Sequence, residues 1–289
     1  MSRPYPISFA EIGNWAAEAR IPHVEARIRY AQYVVLRALA ASPALRHILV
    51  LKGGNALDFV WFPNRSTRDL DFSADLPDSG SVLTDQTLQR QLTAALRSVS
   101  AQLGGVFTVQ TVRQNPRGAD KRFVTHAVTV GYALSDEFAL ILRMKEGRPS
   151  PNVIPLDVSL NEEICATTYI LLDDVHRIRI SAKEDIVAEK LRALLQQPIR
   201  NRHRCQDLRD LATLQDVPVD RGLVAAYLQR KSIAPGIAVT RTAFHHSEVA
   251  ARAQRDYDAL RETARNVFVP YDEALRRLYA LVDDLPIPD

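Results

Sequence analysis

Lys52-Gly53-Gly54-Asn55-Ala56-Leu57-Asp58-Phe59, followed by Arg68-Asp69-Leu70-Asp71-Phe72, decides how this chain is read. The run His47-Ile48-Leu49-Val50-Leu51 just before it is short and apolar, as a buried strand is. A strand that enters a Gly-Gly turn and opens a short helix, here Ala56 to Trp61, exposes backbone N–H groups. Glycines let an anion approach the main chain without a Cβ in the way, and the helix dipole favours negative charge. Gly53, Gly54 and Asn55 thus suit a triphosphate, although a Gly-Gly pair alone also marks a plain turn. Asp69 and Asp71 follow, alternating with Leu70 and Phe72. On a strand both carboxylates share one face while the apolar pair enters the core. Two like charges held so close favour a divalent cation between them, and oxygen donors select Mg²⁺ or Mn²⁺. A later strand, Val153–Leu160, places Ile154, Leu156, Val158 and Leu160 on its buried face and Asp157 on the other, a candidate third carboxylate.

The remaining chain sorts around these strands. Ser8 and Glu11 have capping-box spacing, and helical periodicity runs from Ile28 to Leu39. Gln86–Leu103 reads as a helix; Val106–Val112, Phe123–Leu134 and Phe138–Met144 read as strands. The segment Lys145–Asn152 reads as a loop. From Ala182 onward only helices are expected: Ala182–Gln196, Gln206–Leu214, Arg221–Gln229, His245–Ala264 and Tyr271–Val282. The fold class is therefore α/β (α+β): a mixed-sheet lobe over 1–175 that includes the N-terminal helices, then an all-helical lobe over 176–289, with the active cleft expected between them.

On Ala182–Gln196, Lys190 falls inside the arc of Ile186, Val187, Leu191 and Leu194, with Lys183 on the same face; Asp207 lies between Leu211 and Leu214 on its own helix. An inward lysine must snorkel or meet a buried anion. An inter-helix ion pair and a functional pair both satisfy that pattern.

The motifs Lys52-Gly53-Gly54-x-Ala56-Leu57, Arg68-Asp69-Leu70-Asp71-Phe72, Ala188-Glu189-Lys190-Leu191 and Arg204-Cys205-Gln206-Asp207-Leu208-Arg209-Asp210-Leu211 resemble the AbiEii/MenT family of bacterial nucleotidyltransferase toxins, over about residues 48–215. Their strand–turn–helix and Asp-x-Asp resemble polymerase-beta-type nucleotidyltransferases more broadly. The resemblance implies a toxin of a toxin–antitoxin system, a metal-dependent transferase of the EC 2.7.7 type. It would move a nucleotide from an NTP to RNA, with the tRNA 3′ end as acceptor, release pyrophosphate and block translation. It implies Asp69, Asp71, Lys190 and Asp207 as the catalytic set, with Lys190 contacting the nucleotide. It implies Lys52, Gly53, Gly54, Asn55, Arg68 and Arg204 as nucleotide-binding, the role of Lys52 staying open between phosphate contact and support. Asp69, Asp71 and Asp157 would hold Mg²⁺ or Mn²⁺. A cognate antitoxin, often a winged-helix repressor, is implied as partner. Asn55 departs from the family's Ser or Thr; its amide can still donate to a phosphate, but it cannot be phosphorylated as a hydroxyl is. The rival readings are a relative that binds nucleotide or RNA without catalysis, and transfer onto a protein hydroxyl.

Composition narrows the rest. In 289 residues, two cysteines exclude a disulfide scaffold and fit a reducing compartment, and no apolar run reaches the roughly 18 residues of a membrane helix. No secretory leader is read, so the cytoplasm is expected. The net charge of +3 is spread over both halves, and one cluster, Arg192 to Arg209, carries five Arg against one acid. It is either a solvated loop or a phosphate-binding patch. HExxH, GxSxG, Walker A and GxGxxG patterns are absent from the sequence. The adjacent His245-His246 is a weak metal candidate. Asp173-Asp174 and Asp283-Asp284 read as solvated ends, and Cys205, although its arginine neighbours could lower a thiol pKa, reads as structural or incidental.

Overall fold

Val153 to Val158 alternate strictly between exposed and buried, and that alternation locates the sheet. The computed structural model describes residues 4–61, 67–76, 83–116, 124–214, 217–264 and 268–289. They form two units: one holds residues 4–61, Thr67–Glu162 and Thr168–Ile180, the other Glu163–Thr167 and Ser181–Asp289.

The first runs α1 (Ile12–Ala19), α2 (His23–Ala41), β1 (Leu49–Leu51), α3 (Gly53–Ala56) continued by a π-turn over Leu57–Trp61, β2 (Leu70–Ala74), α4 (Asp85–Ser100), β3 (Gly105–Asn115), β4 (Thr125–Leu134), α5 (Phe138–Lys145), β5 (Val153–Ser159), β6 (Thr167–Leu171) and β7 (Arg177–Ser181). The seven strands are ordered β3-β4-β5-β2-β1-β7-β6. β2 runs antiparallel to β1 but parallel to β5, so the sheet is mixed, as expected. Leu70, Phe72, Leu156 and Val158 are all fully buried on one face. Pro155 is tolerated because the β2–β5 register starts at Leu156; among the described residues Pro155 is paired with Thr129 of β4 alone, and the missing N–H breaks no ladder between two neighbours. α2, buried along most of its length, packs against α1 and α4.

Two segments differ from the sequence reading. Phe138–Met144, expected as a strand, is helix α5. Its apolar run cannot by itself distinguish the two states; its Ala, Leu, Met, Arg and Lys are good helix formers. Gly147, at φ +79°, closes the helix with its N–H on Met144 O (3.0 Å). The hairpin β6–β7 was not anticipated. Its turn is built by Asp173, which accepts from the backbone N–H groups of Val175 (2.9 Å) and His176 (2.7 Å) and from Arg37 Nε (2.7 Å). Asp173 is thus a structural centre and not a solvated end. Burial alone would raise its carboxyl pKa, but those hydrogen bonds and the His176 ring hold it well below the usual carboxylate range. Ser8 heads a short 3₁₀ turn without capping it; Glu11 instead accepts from Ile7 N–H at 3.1 Å. Phe123, the expected start of β4, lies outside the described residues.

The second unit contains α6 (Lys183–Arg200), α7 (Cys205–Thr213), α8 (Arg221–Ile233), α9 (Arg241–His245), α10 (Ser247–Gln254) and α11 (Tyr271–Asp283). α6 runs past its expected end, through Pro198. The Leu194 carbonyl, which Pro198 cannot reach with an N–H, is taken by Gln197 Nε2 at 3.1 Å. The helix expected over His245–Ala264 is broken: His246 adopts an extended backbone and caps α10, and Asp256 turns left-handed at φ 60° before a 3₁₀ stretch, Asp258–Thr263. His245 stacks on Tyr279 and contacts Asp283 (3.0 Å), which leaves the His pair divided between two elements. Among the described residues no helix is long and apolar enough to cross a membrane.

Candidate functional site

The polar face of the first unit starts where β1 ends. Lys52 N–H donates to the Asp71 carbonyl (2.9 Å), which ties the turn to β2. Gly53 then takes φ +66°, and a Cβ built there would stand 2.7 Å from Asp71 Oδ2. Gly53 is therefore needed twice, for backbone conformation and for the approach of that carboxylate. The first helical bond runs from Ala56 N–H to Lys52 O (3.3 Å), so the amides of Gly53, Gly54 and Asn55 are those a helix start leaves outside its own ladder.

Asp71 and Asp157 are direct partners in the parallel β2–β5 pairing and lie on the same side of the sheet. Asp69 stands one residue before β2. Although Asp157 is at an exposed position of β5, partial desolvation of its carboxyl and then the charge of Asp69 push it up from its ordinary value, with Lys52 opposing. Ser73 and Ser159 continue the same face, and Glu162 closes it: Ser73 Oγ donates to Glu162 (2.7 Å), and Lys52 Nζ meets both Glu162 and Ser159 Oγ (3.0 Å). Lys52 is thus supported by this face. Arg68 is exposed.

Asn55 departs from its expected place. It is fully buried; its Nδ2 donates to the Asp69 carbonyl and its Oδ1 accepts from Thr67 Oγ1 (2.6 Å). Its side chain serves the protein interior and is not offered to a phosphate.

The donor set of Asp69, Asp71 and Asp157 suits a hard divalent cation, since all ligands are carboxylate oxygens and the pairing places two of them side by side. Among the described residues, no three His, Cys, Asp or Glu groups already close into a metal cage. The fit is therefore one of chemistry and register.

In the second unit the inward-facing lysine meets two carboxylates. Lys190 is 5% exposed; its Nζ donates to Asp207 Oδ1 (2.9 Å) and to Asp210 Oδ2 (2.8 Å). Arg209 Nη2 adds a bond to Asp210 Oδ1 (2.9 Å), and Arg204 stands 3.8 Å from Asp207. Of the two sequence readings for Lys190, the inter-helix ion pair is present. Cys205 does not have a lowered thiol pKa: burial pushes it up.

Sequence reasoning missed Glu162 and Ser73, placed Ser159 on the Asp157 face without a role, and quoted Asp210 in a motif without assigning it one. The serines were legible as the next period-2 positions after Asp157 and Asp71, and Asp210 as the i+3 neighbour of Asp207. Glu162 lies beyond the end of β5, where periodicity gives no signal.

Comparison with known proteins follows the same lines. Residues 34–277 match the family described as nucleotidyl transferase AbiEii toxin, type IV toxin–antitoxin system. No curated protein matches the chain. MenT4, a nucleotidyltransferase toxin from Mycobacterium tuberculosis H37Rv, superposes with a TM-score of 0.56 at 18% identity, covering 95% of this chain and 90% of its own. JHP933 from Helicobacter pylori superposes with a TM-score of 0.50 at 16% identity, covering 91% of each chain. At such identities these likenesses show the fold; the family match covers most of the sequence. The chain belongs to the AbiEii family of nucleotidyltransferase toxins.

Proposed function

We propose that this protein transfers a nucleotide from an NTP to an RNA acceptor, with the tRNA 3′ end as target, and so blocks translation. Membership of the family brings with it an NTP substrate and a cognate antitoxin; a winged-helix repressor is our proposal for that partner. The observation that carries the reading is the pairing of Asp71 with Asp157 beside Gly53.

Gly53, Gly54 and Asn55 offer main-chain amides to the triphosphate. Asp69, Asp71 and Asp157 would hold Mg²⁺ or Mn²⁺, which when bound polarises phosphate oxygens and favours the deprotonated hydroxyl. Asp157, beside Asp71 in the β2–β5 register, would help orient the acceptor hydroxyl and favour loss of its proton to solvent. The hydroxyl oxygen bonds to the α-phosphorus as the α–β bridging bond breaks, and pyrophosphate leaves. Lys190 and Asp207 are assigned a catalytic role through the family motif, Lys190 as the cation that offsets phosphate charge. Arg68 and Arg204 are proposed to hold nucleotide phosphates, and the Arg200–Arg204 run to meet the RNA backbone.

Incubation with labelled NTPs, Mg²⁺ and total tRNA tests the proposal. Label in the tRNA band that disappears with EDTA is the expected result. Label in a protein band would move the acceptor to a protein hydroxyl, and no label anywhere would leave a binding protein.

A further inference from the structure

Asp71 and Asp157 are positioned by the sheet, but Asp69 is not. The β2–β5 pairing begins at Leu70, and β2 meets β1 only from Phe72 onward. What holds Asp69 is a line of buried polar side chains reaching back to α2. Asn55 Nδ2 donates to the Asp69 carbonyl, and Thr67 Oγ1 donates to Asn55 Oδ1 at 2.6 Å. Gln32 Nε2 donates to the Thr67 carbonyl at 2.7 Å, and Gln32 Oε1 accepts from Arg29 Nη1 at 3.3 Å. Arg29 pairs with Asp58 and lies over the Phe59 ring, 4.6 Å from its centroid. Arg29, Gln32, Asn55 and Asp58 are each at most 2% exposed. The Asn55 amide has one orientation here, because a flipped amide would set its oxygen against the Asp69 carbonyl oxygen. Such a line is costly to leave half made, so a sequence keeps it where it fixes geometry.

We infer that Asn55 and Thr67, backed by Gln32, are positioning residues that hold the entry to β2 and so aim Asp69 at the cation that Asp71 and Asp157 share. This rests on the carboxylate assignment proposed above. Asn55 fills this role with two separate atoms, Nδ2 donating to the Asp69 carbonyl and Oδ1 accepting from the Thr67 hydroxyl, where a serine would have to make both bonds through one shorter-reaching oxygen.

The test compares Thr67→Val, which removes the donor at nearly constant shape, with Thr67→Ser, which keeps it. Amide exchange is followed over residues 67–71 in the full chain without metal, and Mn²⁺ binding is followed by electron paramagnetic resonance. In Thr67→Val, exchange over 67–71 should rise about five- to tenfold, the scale of one lost hydrogen bond. Exchange in β4 and β5 should be unchanged, and Mn²⁺ affinity should fall several-fold. Thr67→Ser should restore both. Asn55→Ser should reproduce the Thr67→Val profile. Parental exchange and Mn²⁺ binding in Thr67→Val would overturn the inference, and so would a Thr67→Ser variant as impaired as Thr67→Val. If Asp71→Asn left Mn²⁺ affinity unchanged, the carboxylate assignment would fall, while the exchange comparison would still decide whether the brace exists.

Discussion

Replacing Gly53 with alanine separates backbone strain from displacement of a carboxylate. At φ +66° an L-residue costs roughly 1–2 kcal/mol. The new Cβ would stand 2.7 Å from Asp71 Oδ2, 3.3 Å from its Cβ and 3.4 Å from its Cγ. To reach ordinary contact the carboxylate must retreat by about 0.7 Å. A misplacement of about 1 Å at a reacting centre can cost 100-fold in rate. The expected result is a modest loss of stability with a fall in transfer of about 50-fold or more. Gly147 supplies the control: it has φ +79°, and nothing lies within 4 Å of its built Cβ. Gly147→Ala should show a similar stability loss and parental transfer. The assays are thermal unfolding and initial rates of label transfer to tRNA. Equal rates for Gly53→Ala and the parent would refute the reasoning, as would equal rate losses in the two alanine variants.

Four further outcomes are expected. Asp71→Ala should abolish transfer and relieve growth inhibition while the circular dichroism spectrum stays native; undiminished toxicity would remove Asp71 from the metal set. Lys190→Ala should lower turnover by orders of magnitude and, by taking the ammonium from buried Asp210 and half-buried Asp207, cost about 1–3 kcal/mol in urea unfolding; a near-parental rate would leave Lys190 a packing role only. Asp173 has a depressed carboxyl pKa, so its contribution to stability is complete above the ordinary value of 3.8 and is lost as pH falls below it. Asp173→Asn should therefore be less stable than the parent at neutral pH, with the gap narrowing in acid; a gap constant from about pH 6 to pH 2 would contradict this. Burial pushes the Cys165 thiol up to about 11 and raises Cys205, so iodoacetamide should label the native protein slowly at neutral pH and the urea-unfolded chain much faster.

Where the sequence was legible, a period carried the signal. Asp69, Leu70, Asp71 and Phe72 alternate, and the structure sets Leu70 and Phe72 in the core with Asp71 on the opposite face beside Asp157. Lys190 read as inward-facing at 100° per residue, and it is buried against α7. What stayed hidden lacked a local signature. Asn55 looked like a phosphate ligand because its burial depends on Thr67 and Asp69, more than ten residues away. β6 and β7 are short, and Asp173, whose hydrogen bonds make their turn, resembles any solvated acid in one dimension. α5 was mistaken for a strand because an uninterrupted apolar run has no period to read.

The parallel register of β2 on β5 also bears on how such a protein can be tamed by mutation. Removing or adding one residue within Leu70–Ser73 would rotate the strand, sending an acid toward the interior and a phenylalanine toward water. Slippage in this strand would therefore silence the chain and unfold it together. A weakened but intact form has to arise by exchange of individual side chains at constant length.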